Sequence, residues 1–155
     1  MSTYQEKLYW HIRRLTHVHE DADDVLQNTL IKVIRSIDRF EGKAKLYTWL
    51  YRIATNESLT FLKRRKSRSS TGDDMGLAER LAADPYWDGD KAELVLQEAL
   101  TILPEKQKAV FLLRYYEEMP YREMSEVLQT SEGSLKASYH HAVKKIEAFV
   151  KSQGL

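Results

Sequence analysis

Cysteine is absent from the 155 residues of this chain, so neither a disulfide framework nor a thiolate metal site is possible. No apolar run approaches the roughly 20 residues that a membrane span requires. The opening Met1-Ser2-Thr3-Tyr4-Gln5-Glu6-Lys7 lacks the apolar stretch of a signal peptide. A soluble protein of the reducing cytoplasm is expected. Also missing are a phosphate-cradling Gly-rich loop, a nucleophile elbow, and a His–carboxylate arrangement tied to a nucleophile. Neither catalysis nor a cofactor is therefore expected.

A strong excess of one charge is lacking too, with a formal net charge of only +1. That average conceals a segregation. Residues 1–70 carry 14 Lys+Arg against 8 Asp+Glu, residues 71–98 carry 2 against 8, and residues 99–155 carry 8 against 7. A basic first block can neutralise phosphates and release counterions, whereas the acidic middle is repelled by the same backbone and reads as a spacer.

What is present is helical periodicity. Leu8, Ile12 and Leu15 share one face, and Val25, Thr29, Val33, Ile34 and Ile37 make a second amphipathic pattern. Between them, the carboxylates of Glu20-Asp21-Ala22-Asp23-Asp24 are placed to cap the second helix and favour its dipole. Gly42 marks a loop before a third helix from Leu46 to about Lys66, which ends in Lys63-Arg64-Arg65-Lys66. Periodicity then fails from Ser67 to about Gly89, and the domain boundary is placed there. Leu77, Leu81, Tyr86 and Trp87 leave open that parts of this linker dock on a neighbouring surface. Helices are expected again over 92–103, 105–117, 121–128 and 131 to about 151, with no strand pattern of useful length. The fold class expected is all-α, with small helical domains at 1–68 and 92–155 joined by a flexible acidic linker, 69–91.

The pair 121–128 and 131 onward, separated only by Gln129-Thr130, has the proportions of a helix-turn-helix. In its second helix Leu135, Tyr139, Ala142, Ile146 and Phe149 fall on one side and should be core. Opposite them lie Gly133, Lys136, Ala137, His140, His141 and Lys144, a face suited either to solvent or to a major groove. Ser131 is the expected N-cap.

The chain resembles the extracytoplasmic-function sigma factors, the minimal two-domain members of the sigma-seventy family, along nearly its whole length. The resemblance is carried by residues 21–27 (DADDVLQ), by 38–40 (DRF) through 48–56 (TWLYRIATN), by 103–107 (LPEKQ), by 111–116 (FLLRYY) and by 131–138 (SEGSLKAS), in the family's order. It implies a non-enzymatic factor whose partners are core RNA polymerase and promoter DNA, with an anti-sigma factor as a further partner. Polymerase binding falls to Asp21, Asp24, Val25 and Gln27. Recognition and melting of the minus-ten element fall to Arg39, Phe40, Lys43, Lys45, Tyr47, Trp49, Arg52, Asn56, Lys63 and Arg64. The minus-thirty-five element falls to Arg122, Ser131, Glu132, Gly133, Ser134, Lys136, Ala137, His140, His141 and Lys144.

The residue chemistry supports the second assignment, since melting DNA needs aromatic faces for unstacked bases and cations for phosphates. Trp49 has two readings, packing between helices or meeting a base. The chain departs from the family in reading Ala137-Ser138-Tyr139-His140-His141 after Lys136, which points to an uncommon minus-thirty-five sequence. It also carries Gln129 where a turn glycine is often found, and a local change of geometry is expected there. Adjacent His140 and His141 diverge by about 100 degrees on a helix and cannot readily clasp one ion, so no metal is expected. The competing readings are a helix-turn-helix regulator that acts without replacing a sigma factor, and a module that only sequesters another protein. A sensor domain has no need of the cations and aromatics of residues 39–65, and a sequestering module leaves the cations of 63–68 unexplained.

Overall fold

The computed structural model describes residues 2–42, 45–66 and 76–154. Within them lie α1 (Ser2–Thr16), α2 (His19–Ser36) followed by a 3-10 turn (Ile37–Arg39), α3 (Leu46–Lys66), α4 (Leu77–Ala82), α5 (Lys91–Leu100), α6 (Glu105–Tyr115), α7 (Tyr121–Leu128) and α8 (Glu132–Ser152). No strand occurs among the described residues, in keeping with the all-α expectation.

In α1, Leu8, Ile12 and Leu15 are all buried. The helix stops where His17 turns left-handed at φ 65 and its amide closes back on the Arg13 carbonyl at 2.7 Å. Helix α2 buries Ala22, Val25, Leu26 and Thr29. Two expectations fail in this helix. Its N-cap is Val18 with no side-chain hydrogen bond, so the acidic cluster does not cap it. Asp21 instead accepts from the Arg65 guanidinium at 3.0 Å, tying the start of α2 to the end of α3. The apolar stripe also ends early, because Ile34 is 73 % exposed and Ile31 and Ile37 are open to solvent.

Helix α3 buries Leu50, Tyr51, Ala54, Thr55, Ser58 and Leu62, a wide stripe because it is covered by α1 and α2 on one side and by α7 on another. Two of its buried polar side chains find partners: Ser58 donates to the Ala54 carbonyl at 2.8 Å, and Thr55 meets His11 Nε2 at 2.8 Å.

Of the segment expected to be a flexible linker, residues 69–75 lie outside the described residues, and residues 76–91 carry ordered contacts. Within it α4 forms on Leu77 and Leu81, one turn apart, and Leu81 is fully buried. Beyond it Asp84 is buried beside the Arg13 guanidinium. It accepts from the Tyr9 hydroxyl at 2.5 Å, from Arg13 Nε at 3.0 Å and, through its other oxygen, from the Tyr86 amide at 2.9 Å. The Tyr9 hydroxyl also lies 2.7 Å from His19 Nδ1, from which it accepts while donating to Asp84. Burial alone would raise the Asp84 carboxyl, but these donors and the Arg13 charge outweigh it and hold the group below the usual carboxylate range. Next to this anion, Tyr9 meets Trp10 and Tyr86 edge-on, and Trp10 meets Trp87. Trp87 lies so close over Gly89 that a Cβ there would fall 2.4 Å from the indole, so only glycine fits. Asp90 then caps α5 by accepting from the Glu93 amide at 2.9 Å.

The apolar core does not divide at the linker. One cluster joins Leu8, Ile12, Leu50 and Tyr51 to Val110, Leu113, Met124 and Leu135. A second joins Leu15 and Leu62 to Leu100, Leu103, Leu112 and Ile146. The two halves of the chain are folded against each other.

Candidate nucleic-acid interface

The turn between α7 and α8 keeps the tight geometry of a helix-turn-helix. Gln129 makes it by adopting φ 52 and ψ 47, a left-handed backbone that strains a non-glycine residue. Three local bonds hold the turn: Gln129 Nε2 donates to the Glu126 carbonyl at 2.7 Å, Ser125 Oγ to Thr130 O at 2.7 Å, and Thr130 Oγ1 to Leu128 O at 3.0 Å. Ser131 caps α8 by accepting from the Ser134 amide at 3.2 Å.

Leu135, Ala142 and Ile146 are buried beneath α8, with Tyr139 and Phe149 half-buried beside them. Glu132, Gly133, Ser134, Lys136, Ala137, His140, His141 and Lys144 are all exposed. Nothing lies within 4 Å of a Cβ built on Gly133, so that stretch of backbone is open to close approach. The His140 and His141 rings are 5.9 Å apart. Exposed Arg122 on α7 adds a cation beside this face, and Lys136 and Arg114 both lie over the Tyr121 ring, at 5.7 and 4.8 Å. A convex helix with cations at its edges and short polar groups at its N-terminus suits a duplex groove.

The basic aromatic segment of the first half makes a second, separate face. Along α3 the exposed side chains of Arg52, Asn56 and Lys63 lie four and seven residues apart, on one side of the helix, with exposed Arg64 adjacent. Arg39 is exposed on the 3-10 turn, and half-buried Phe40 packs on Trp49 with ring centroids 5.1 Å apart. Trp49 is half-buried, with part of its surface left open. Lys43 lies outside the described residues. The start of α3 is not open. Lys45 Nζ stands 3.2 Å from Glu123 Oε2, and the Tyr47 hydroxyl donates to the backbone and side chain of Glu117 at 3.0 and 3.3 Å.

A third surface is the outer face of α2. Asp24 and Gln27 are exposed there, Gln27 donating to Asp23 at 3.2 Å. Val25 is 2 % exposed and packs in the core, so it offers no contact to a partner. Asp21 is committed to Arg65. Exposed Ile31 and Ile34 share the face with Asp24 and were missed, since helical spacing alone cannot tell a core isoleucine from one on an uncovered face. The clue was an apolar arc too wide for a single stripe: Val25, Leu26, Leu30, Ile31, Val33 and Ile34 cover more than half the helix.

Comparison with known proteins converges. Residues 1–68 match the family description Sigma-70 region 2, and residues 93–146 match Sigma-70 region 4. The chain is 30% identical to the ECF RNA polymerase sigma factor SigW of Bacillus subtilis, over 88% of this chain and 79% of that protein. It is 28% identical to the RNA polymerase sigma-H factor of Pseudomonas aeruginosa, over 93% and 80%. In fold it is similar to the sigma factor RpoE of Bartonella quintana, solved with the anti-sigma factor NepR, at a TM-score of 0.80 and 22% identity over 96% of this chain and 92% of that one. A second similar structure is CnrH, solved with the cytosolic domain of CnrY, at a TM-score of 0.70 and 21% identity over 97% and 84%.

Proposed function

The chain belongs to the sigma-70 family, in its extracytoplasmic-function class, and from that premise we propose how its residues divide the work of promoter-directed initiation. As an RNA polymerase sigma factor it binds core polymerase and directs transcription to particular promoters. One observation carries the division of labour: an open recognition helix and a separate basic aromatic face stand on one chain. Initiation needs both, the first for intact duplex and the second for a strand already unpaired.

In this reading residues 1–68 engage core polymerase and the minus-ten element, 69–91 are the connecting segment and 92–155 read the minus-thirty-five element. The α2 face of Asp24 and Gln27 meets polymerase, with Ile31 and Ile34 supplying apolar area at the same contact. Arg39, Phe40, Lys45, Tyr47, Trp49, Arg52, Asn56, Lys63 and Arg64 take the melted strand: aromatic rings stack on bases while the cations follow phosphates. At the other element Lys136, Lys144 and Arg122 position the protein on phosphates, and Ser131 to Ser134 present helix-start donors to the backbone. Ala137 offers a methyl contact to thymine, and His140 and His141 offer ring nitrogens to base edges. The factor catalyses nothing itself, acts in the cytoplasm where polymerase works, and has an anti-sigma factor as a further partner, as the similar RpoE structure does.

The test is assembly. Mixed with sigma-free core polymerase, the protein is expected to co-migrate as a holoenzyme on gel filtration and to retain a double-stranded promoter fragment in that form. Tight duplex binding by the protein alone, with no co-migration, favours the regulator reading instead.

A further inference from the structure

Between α3 of the first half and α6, α7 and α8 of the second lies a cavity of about 260 Å³. Its floor is apolar, made by Leu59, Val110, Leu128 and Leu135. Its polar lining is Asn56, Lys106, Thr130, Ser134 and Ser138, with no carboxylate among the described residues that line it. The Thr130 hydroxyl is spent on the Leu128 carbonyl at 3.0 Å. Ser134 Oγ accepts from Ser131 Oγ at 3.0 Å, which leaves its own proton to donate. The donors at the cavity are therefore the Lys106 ammonium, the Asn56 amide and the hydroxyls of Ser134 and Ser138. None of the ion pairs among the described residues involves Lys106. Ser134 is the third residue of α8, so the positive end of a 21-residue helix stands at the rim as well. A crevice between packed helices ordinarily takes water. One that sets a cation and hydrogen-bond donors, and no acid, above an apolar floor favours an anion that carries an apolar body.

We propose that this cavity binds a small organic phosphate, with the phosphate on Lys106, Asn56, Ser134 and Ser138 and the apolar body on the leucines beneath. A phosphate monoester presents three acceptor oxygens to these donors, more than a carboxylate or a backbone phosphodiester can. The volume lies just under the usual lower bound of roughly 300 Å³ for ligand sites, which selects a small metabolite and excludes a dinucleotide. The effect on initiation rests on the assignments of α3 and α8 made above. Asn56 and Leu59 come from the first half and the other lining residues from the second, so the full site exists only while α3 and α8 stand side by side. An occupant also covers Asn56, assigned to the melted strand, and Ser134, assigned to the duplex. A ligand that binds one arrangement and not the other shifts the equilibrium by the factor 1 + [L]/Kd. Promoter choice thereby becomes responsive to a phosphorylated metabolite at a constant level of the factor.

The test uses the full chain labelled with nitrogen-15, titrated with phenyl phosphate and followed by amide chemical shifts. Saturable shifts of the Asn56, Leu59, Thr130, Ser134 and Ser138 amides are expected. Inorganic phosphate, which has no apolar body, should bind about tenfold more weakly, and benzyl alcohol, which has no charge, should give no saturable shift. Lys106→Gln should weaken phenyl phosphate about tenfold, the loss of one charge-assisted hydrogen bond; Lys106 is exposed, so the fold does not depend on it. Ser138→Val should abolish binding by placing methyl groups in the cavity. Lys91→Gln, which removes an exposed cation on α5, should bind as wild type does. Shifts that grow linearly, that gather around Lys63 or Lys144, or that persist undiminished in Lys106→Gln overturn the proposal. A single-stranded DNA pool that moves the cavity amides where phenyl phosphate does not also overturns it, because the phosphate is then one of the strand. In run-off initiation with core polymerase, phenyl phosphate at ten times its Kd should raise the polymerase needed for half-maximal initiation about tenfold. For Lys106→Gln, measured against its own ligand-free control, the rise should be about twofold. Saturable binding with undiminished initiation overturns the regulatory effect, whereas no initiation at all sinks the sigma reading while the shifts still decide the site.

Discussion

Acidification from pH 7 to pH 5 should destabilise this protein through two histidines that the fold keeps neutral. His11 is 1 % exposed, with Nε2 against Thr55 Oγ1 at 2.8 Å, its ring edge-on to Tyr51, and Nδ1 without a hydrogen-bond partner. Burial, with the Arg14 charge beside it, pushes the ring down to about 3. His17 is likewise pushed down to about 3, by burial first and then by Lys108 and neighbouring arginines. In the unfolded chain both titrate near 6.5. Below that value the unfolded state binds protons that the folded state refuses. Stability is therefore complete above about pH 7, falls as the pH drops below 6.5, and goes on falling toward 3. By pH 5 each histidine costs about 2 kcal/mol, or about 4 kcal/mol together. For a chain of this size that lowers Tm by about 10 °C. Burial also raises the Glu117 and Asp21 carboxyls, which favours the folded state on acidification and trims the loss. The assay is thermal unfolding followed by circular dichroism at half-unit pH steps, on wild type and on His17→Asn. Asparagine tolerates the left-handed backbone at that position, so the variant should lose about half of the pH dependence. A Tm unchanged between pH 7 and pH 5, or a His17→Asn profile parallel to wild type, would refute the reasoning.

Other outcomes follow from single contacts. Gln129→Gly relieves a left-handed non-glycine backbone and forfeits one exposed side-chain bond, for an expected gain of about 0.5–1 kcal/mol in unfolding free energy from denaturant curves; a loss of stability would show that the turn bonds outweigh the strain. Lys136→Ala should weaken binding to all minus-thirty-five sequences alike and reduce its salt dependence, whereas His140→Ala should change which bases are preferred. Identical preference profiles for wild type and His140→Ala in a randomised-duplex selection would remove His140 from base readout. Asp24→Ala is expected to weaken holoenzyme assembly at unchanged Tm, because exposed Asp24 makes no capping bond; a large fall in Tm would assign it a structural role instead.

Regions where local pattern decides the structure could be read from the residues. Helix α3 and the pair α7 and α8 stand where periodicity put them, Ser131 caps as its type and place suggested, and the Leu135, Ala142 and Ile146 side of α8 is core. What could not be read depends on partners distant in sequence. Asp84 looks like Asp88 and Asp90 in the chain, and only the approach of Tyr9 and Arg13 across more than 70 residues makes it a buried anion. Leu77 and Leu81 form one turn's worth of pattern, too little to announce α4 before a surface covers it. Ile34 carries the same signal as Val25, and tertiary packing sends one to solvent and the other to the core. At the face proposed for strand capture Arg52, Asn56 and Lys63 lie open, but nothing local to Lys45 and Tyr47 foretold that Glu123 and Glu117 would meet them.

The most direct test of the account is transcript start mapping. Sigma-free core polymerase, incubated with this protein and a genomic DNA library, should produce discrete start sites that share two spaced sequence elements, and these starts should vanish when the protein is omitted. Starts scattered as with core enzyme alone would contradict the assignment of promoter choice to this chain.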